Sequence, residues 1–331
     1  MTEQPLAHEA TIWTDPTRTA LIGRVLQLMA PAVRPIAVGG PRGAQLDTLA
    51  QELGCPRHDD LRKMVVDHPA SFLLLSSSAL LRFEDILAAV NEGSDVLALE
   101  PIAGDFNELN VPQTTAMKSG QVVCIPAFAA SPGWMSAAEP VDVLGQSQVI
   151  SYRSFGQIGE CSLLARLFDA FVLLQQLAPM PESIDASLNT PLAGLPQQLR
   201  GMTGHLLAHL RFAGDRAGVL HVSDQAGLGG RSLFVQGERA ELHVADHEYE
   251  LRDLDGKLID RMEAEGTDST GFADLIAWQW HQFLRQRERR FDRDGWQINT
   301  RALVCCLSCL LSSRTGQPES PIKLLSVHGQ A

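Results

Sequence analysis

From residue 9 to about 126, short apolar runs alternate with longer stretches of helical period. The pattern predicts strands at Ala10–Trp13, Pro35–Val38, Ser71–Leu75, Val96–Leu99 and Gln121–Ile125. Between them it predicts helices at Ala20–Met29, Ala44–Leu53, Phe83–Asn91 and near Glu108–Ser119. Gly54 and Gly93 follow two of these helices, where a C-terminal cap is wanted. Ser71–Leu75 is continuously apolar, as a strand buried on both faces must be. Strands alternating with helices at this spacing imply a parallel sheet covered on both sides, and the right-handed crossover rule makes it doubly wound.

The texture changes after Pro126. Residues 127–145 are rich in Ser, Pro, Gly and Ala without clear period, and the domain link is expected there. Val149–Tyr152 starts a strand and Leu163–Leu177 is an apolar helix. From about 183 to 260 the segments SIDASL, HLLAHLRF, GVLHVSD, SLFVQG, AELHVA and YELRDLDG alternate as strands, with Gly- and Asp-containing turns suited to hairpins. Helices at Gly271–Arg287 and Asn299–Ser312 complete an α+β domain with one covered sheet face. The expected division is therefore an N-terminal Rossmann-like domain over residues 1–126 and an α+β domain over 127–331, the second built on a large, mostly antiparallel open sheet.

Composition narrows the classes. With 331 residues, 45% hydrophobic and 20% charged, the chain is globular and long enough for two cores. A net charge of −12 leaves no Lys/Arg excess to neutralise phosphates, so no nucleic-acid partner is expected. The basic cluster Arg285, Arg287, Arg289, Arg290 is interrupted by Glu288 and reads as a solvated helix face. No apolar run reaches the roughly 18 residues a membrane span needs, and residues 1–13 lack a secretory pattern. The six scattered cysteines then read as reduced thiols in a cytoplasmic protein. Cys306 and Cys309 have C-x-x-C spacing but lie in an apolar helical run with no second pair, so no metal site is expected. His205 and His209 share one strand face and read as sheet residues.

Three stretches together resemble the Gfo/Idh/MocA family, the glucose–fructose oxidoreductase and inositol dehydrogenase type of NAD(P)-dependent enzyme. They are AQLDTLAQELGCPRHDDLRKMV at 44–65, ILAAVNEGSDVLALEPIA at 86–103 and SSRTGQPESPIKL at 312–324. The strand-rich meander between them matches the family's second-domain sheet in order and length. The resemblance implies a dinucleotide site at the first strand ends, and a sheet that packs against another subunit.

The residues at those positions depart from that expectation. A dinucleotide site needs glycines after the first strand, because a Cβ there blocks the backbone's approach to the pyrophosphate. Here Thr14-Asp15-Pro16-Thr17-Arg18 follows Trp13, and the first glycine in the chain is Gly23. Gly40 falls where the family places the ribose acid, with Arg42 two residues on as a candidate for a 2′-phosphate. Ser76 and Ser77, followed by Ser78, stand in the loop that the family places beside the nicotinamide ribose. Glu100 takes the position of the lysine in the family's Glu-Lys-Pro signature. Asp169 falls at the position of the helix histidine, and no histidine lies between His68 and His205.

If a cofactor binds, the candidate contacts are Thr14, Arg18, Gly40, Arg42, Ser76 and Ser77. The candidate catalytic residues are Glu100 and Asp169. Three readings follow. The first is a catalytically degenerate member that binds no nicotinamide cofactor. It would serve as a scaffold or regulatory subunit, as a homo-oligomer through the C-terminal sheet or with an active relative. The second is an active oxidoreductase on a sugar or polyol that holds NAD or NADP by non-standard contacts. The third is a lyase or hydrolase built on Glu100 and Asp169, both carboxylates capable of acid–base work.

Overall fold

The computed structural model describes residues 7–77, 81–102, 121–124, 126–129, 131–263, 271–285 and 293–327. Its first unit contains residues 1–103, 107–125 and 271–296, and its second residues 104–106, 126–270 and 297–331.

In the first unit, β1 (His8–Trp13), β2 (Val33–Gly39), β3 (Arg57–His58), β4 (Phe72–Leu75), β5 (Asp95–Ala98) and β6 (Val122–Cys124) form one parallel sheet. Its order is β3-β2-β1-β4-β5-β6, so the winding direction reverses between β1 and β4. Alternate residues of β4 show why both faces are apolar. Phe72 and Leu74 join a core with Ile22, Val25 and Leu26 of α1 (Thr19–Met29) and with Leu46 and Leu49 of α2 (Ala44–Leu53). Leu73 and Leu75 join a second core with Met64 of α3 (Leu61–Asp67) and with Phe83 and Ile86 of α4 (Phe83–Asn91). Each such side chain contributes about 1.5–3 kcal/mol over its exposed state. The continuous apolar run therefore reflects two cores that share one strand.

The caps follow the sequence. Gly54 closes α2 in the left-handed region at φ 64°, and Asp60 caps α3 by accepting the Lys63 N–H at 3.1 Å. Strand β3, too short to leave a period, falls where the resemblance of residues 44–65 implies a short strand after Gly54, and α3, which the periodicity does not mark, follows it. The expected helix near Glu108–Ser119 lies outside the described residues. One expectation is corrected: helix α7 (Phe272–Arg285), expected in the second domain, groups with the first unit. The cause is packing, since Ala273, Ile276, Ala277 and Trp280 belong to the core of β1 and α1.

In the second unit, the stretch expected as an aperiodic link holds α5 (Pro132–Ala137) and a 3-10 turn at Pro140–Leu144. Ser131 caps α5 and Pro132 starts it, a short-range signal that periodicity cannot register. The sheet contains β7 (Ser147–Gln157), β8 (Ser183–Asn189), β9 (His205–Arg211), β10 (Ala217–Ser223), β11 (Gln225–Gly237), β12 (Ala240–Ala245), β13 (Glu248–Asp253) and β14 (Leu258–Glu263). Its order is β14-β13-β12-β11-β7-β10-β9-β8, with β7 and β10 the one parallel pair among them. The covered face carries α6 (Leu163–Leu174), all twelve residues of which are buried. Helix α8 is Arg293–Thr315, and its Ser312 hydroxyl accepts the Ala186 N–H of β8 at 2.9 Å. The Thr-Gly-Gln-Pro ending is a helix stop: Gly316 turns at φ 67°, and Glu319 then bridges to Ile184 before a last helix, Pro321–Val327. No helix among the described residues is long and apolar enough to cross a membrane.

Candidate functional site

Strands β1, β4 and β5 end side by side at Trp13, Leu75 and Ala98, so the loops after them meet above one edge of the sheet. The ladder runs one step further, with the Ser76 N–H donating to the Trp13 carbonyl at 2.9 Å. The loop after β1 turns at once. Asp15 accepts the Thr17 N–H at 2.8 Å and caps a 3-10 turn over Pro16–Arg18. That turn sends Arg18 inward, where its side chain is 6% exposed. The guanidinium donates to the Ser76 carbonyl and pairs with Glu100, itself 8% exposed, while the Asp15 carboxylate stands 3.5 Å from Nε. Ser76 Oγ donates to Thr14 Oγ1 at 2.5 Å. Thr14, Arg18, Ser76 and Glu100 are thus brought together, and Ser77 is buried beside them. Arg18 is therefore not the surface arginine its loop position suggests.

The loops after β1 and β2 also lie against one another. A Cβ on Gly40 would fall 1.9 Å from the Thr14 carbonyl oxygen, and one on Gly43 would fall 2.8 Å from Pro16 Cγ. Gly40 is there because the chain crosses itself, which accounts for a glycine at the expected ribose position. Arg42 stands apart, 88% exposed, and pairs with Asp59 at 3.1 Å. That contact holds the Asp59 carboxyl below its ordinary range. Ser78 lies outside the described residues.

The pyrophosphate requires open backbone amides with no Cβ in the way. Here the segment after β1 is a capped turn without glycine, and the ion pair of Arg18 and Glu100 lies beyond the ends of the three central strands.

Asp169 sits in the second unit on α6, 4% exposed. It accepts the backbone N–H groups of Phe128 at 2.8 Å and Ala129 at 3.3 Å, and the Tyr152 hydroxyl at 3.4 Å. Burial pushes its pKa up to about 6, against the pull of those amides and of Arg231. Burial and the neighbouring Asp169 raise the Tyr152 phenol well above its ordinary value. Arg231 is clamped by Asp246 through two bonds, at 2.8 and 3.1 Å. Tyr152, Arg231 and Asp246 were not singled out from the sequence, and no signal marks them, because the sheet register alone brings them to Asp169. Arg166, one turn before Asp169, pairs with Glu160 at 2.8 Å and donates to the Phe155 carbonyl at 3.0 Å. Both candidate catalytic carboxylates therefore have partners within their own unit.

Among the described residues, two open depressions are of note. One of about 590 Å³ lies on the uncovered sheet face around Arg153, Phe234, His243 and Glu250. The other, about 420 Å³, lies beyond the ends of β1 and β2 beside Trp13 and Pro41. Among the described residues no group of three or more His, Cys, Asp or Glu side chains is arranged to hold a metal. Cys305, Cys306 and Cys309 are buried on α8, and burial raises the pKa of Cys305 and Cys309.

No family model matches the sequence, and no curated protein matches it either. Solved structures do. An oxidoreductase from Agrobacterium radiobacter in complex with NAD+, L-tartaric acid and magnesium superimposes with a TM-score of 0.74 at 8% identity, covering 97% of this chain and 100% of its own. Levoglucosan dehydrogenase in complex with NADH and L-sorbose gives 0.70 at 11% identity, over 95% and 98% of the two chains. An NAD binding oxidoreductase from Klebsiella pneumoniae gives 0.68 at 15% identity, over 95% and 99%. With the six-stranded parallel sheet and the large mixed sheet already described, the chain has the fold of the Gfo/Idh/MocA oxidoreductases.

Proposed function

We propose that this protein is a catalytically degenerate bearer of that fold, a cytoplasmic scaffold or regulatory subunit that carries out no nicotinamide-dependent hydride transfer. The observation that carries the reading is the buried pair of Arg18 and Glu100. It lies beyond the ends of β1, β4 and β5, where strand order reverses, the place where ligands bind in open α/β sheets. Glu100 has no positive charge to stabilise an alkoxide, and Arg18 is engaged by Glu100 and Ser76. Under this reading the protein needs no cofactor. Its function rests on the uncovered sheet face, through which it forms a homo-oligomer or joins an active relative. Leu207 and Val149 on that face are 41% and 45% exposed, in support of such use.

A second reading is favoured by the structural neighbours, several of which hold NAD+ or NADH. In it the protein is an NAD(P)-dependent oxidoreductase acting on a sugar or polyol. Arg18 would have to leave Glu100 to meet a phosphate. The test is an absorbance assay for NAD(P)H formation over a panel of polyols and sugars, run alongside sedimentation of the same preparation. A stable oligomer with no turnover supports the first reading, and substrate-dependent reduction of NAD+ or NADP+ establishes the second.

A further inference from the structure

We infer that assembly through the uncovered sheet face is proton-controlled: a second copy of this chain lays its acidic half on the basic half, whose histidines tighten the contact as pH falls. The inference rests on the proposed function for the premise that copies meet on this face, and adds to it their arrangement and its regulation.

The face is divided by charge. Strands β7, β9 and β10 contain no Asp or Glu at all. Their exposed ionisable side chains are Arg153, His205, His209, Arg211 and His221. Alternation along β9 shows how they come to one side: His205, Leu207, His209 and Arg211 point outward, and Leu206, Ala208 and Leu210 are buried. At the other end of the sheet, β12, β13 and β14 bring Glu241, Glu248, Glu250 and Glu263 to the same face, against Arg252 and Arg261. Arg252 is already engaged by Glu250 at 2.8 Å.

Strand order sets the two halves apart, with β14-β13-β12 at one side and β7-β10-β9 toward the other. Sheets that pack face to face keep their strands nearly aligned. A twofold axis along the strands then lays the acidic half of each copy over the basic half of the other, so both contacts of unlike charge form together. An axis across the strands would set each half on its own kind.

The histidines make this contact depend on pH. His221 stands opposite Leu207 on β9 and Arg153 on β7, and packs on the Phe155 ring at 4.6 Å. Burial, with Arg153 and His205 nearby, holds its pKa below the ordinary value in a single copy. His205 stands opposite Asn189 and Ser223, and His209 opposite Asp185 and Val219. Among the residues directly opposite these histidines, Asp185 is the one carboxylate. With the imidazoles neutral, the basic half carries only the charges of Arg153 and Arg211. Glutamates of a second copy favour the protonated imidazoles they face. A histidine whose pKa rises on association adds affinity that is fully present below its free value and is lost as pH climbs through the raised one.

The experiment is sedimentation equilibrium of the full chain at about pH 6 and about pH 8, on either side of the ordinary histidine range. It is repeated on His209→Gln with His221→Gln, and on Glu248→Gln with Glu250→Gln. These side chains lie on the solvent side of their strands, so the substitutions leave the core intact. A dimer dissociation constant lower by about tenfold or more at the acid pH is expected, as a rise of about one pKa unit on one imidazole implies. The histidine variant loses that dependence, and the glutamate variant gains little from acid. Equal constants at both pH values, or tighter association at the alkaline one, overturn the inference and leave the proposed function standing. Dependence retained in full by either variant also overturns it. A monomer at both pH values overturns the inference together with assembly through copies of this chain.

Discussion

The guanidinium of Arg18 and the carboxylate of Glu100 form an ion pair with both side chains under 9% exposed, above the ends of β1, β4 and β5. Desolvation makes such a pair worth little in net stability, but breaking it strands a charge. Arg18→Met is expected to cost about 3–5 kcal/mol in urea unfolding, and Arg18→Met with Glu100→Gln substantially less. Equal losses in the single and double variants would show that the two groups are not coupled.

The contact of Gly40 with Thr14 gives a contrast between two glycines. Gly54→Ala meets nothing within 4 Å and suffers only the left-handed backbone, so a loss of about 1 kcal/mol is expected. Gly40→Ala sets a Cβ 1.9 Å from a carbonyl oxygen and must move one loop. A loss of about 3 kcal/mol or more in thermal unfolding is expected there. Similar losses at both sites would mean the loops after β1 and β2 do not touch.

Asp169 makes stability depend on pH. Its pKa of about 6 in the fold exceeds the roughly 3.9 of an unfolded aspartate. The folded protein therefore holds the proton more tightly. That contribution is fully present below about pH 4 and is lost as pH rises through about 6. Its size is about 2–3 kcal/mol. Asp169→Asn removes the titration, so the melting temperature of the wild type relative to this variant should fall between pH 4 and pH 7. A constant difference across that range would place Asp169 in contact with water.

The uncovered face of the second sheet gives the fourth expectation. Val149→Glu together with Leu207→Glu adds charge to two exposed apolar positions of β7 and β9 without touching the core. Sedimentation equilibrium should show an oligomer for the wild type and a shift toward monomer for the variant. A wild-type protein that sediments as a monomer without an added partner would contradict assembly through copies of this chain.

Much of the fold was legible because single segments carry it. Phe72–Leu75 announces a strand buried on both sides, and Ala44–Leu53 with Gly54 announces a capped helix. What escaped depends on pieces too short or too exposed to leave a period. Strand β3 is two residues paired with Val38 and Gly39, and β14 is largely exposed, so neither alternates. The site was legible by type more than by arrangement. Thr14, Arg18, Ser76 and Glu100 could be placed on neighbouring loops. That Arg18 turns inward depends on the Asp15 cap and a three-residue turn. Arg231 and Asp246 are fifteen positions apart and meet through the β11–β12 pairing, which no local pattern encodes.

Closure of the crevice to nicotinamide dinucleotides by Arg18 and Glu100 is the proposal on which the function rests. It is tested most directly by titrating the purified protein with NADH and NADPH and following energy transfer from tryptophan to the nicotinamide. Trp13, at the end of β1, is placed to report it. No saturable transfer is expected with either cofactor up to millimolar concentration. Saturable binding below about 100 μM, worth roughly 5.5 kcal/mol, would contradict it.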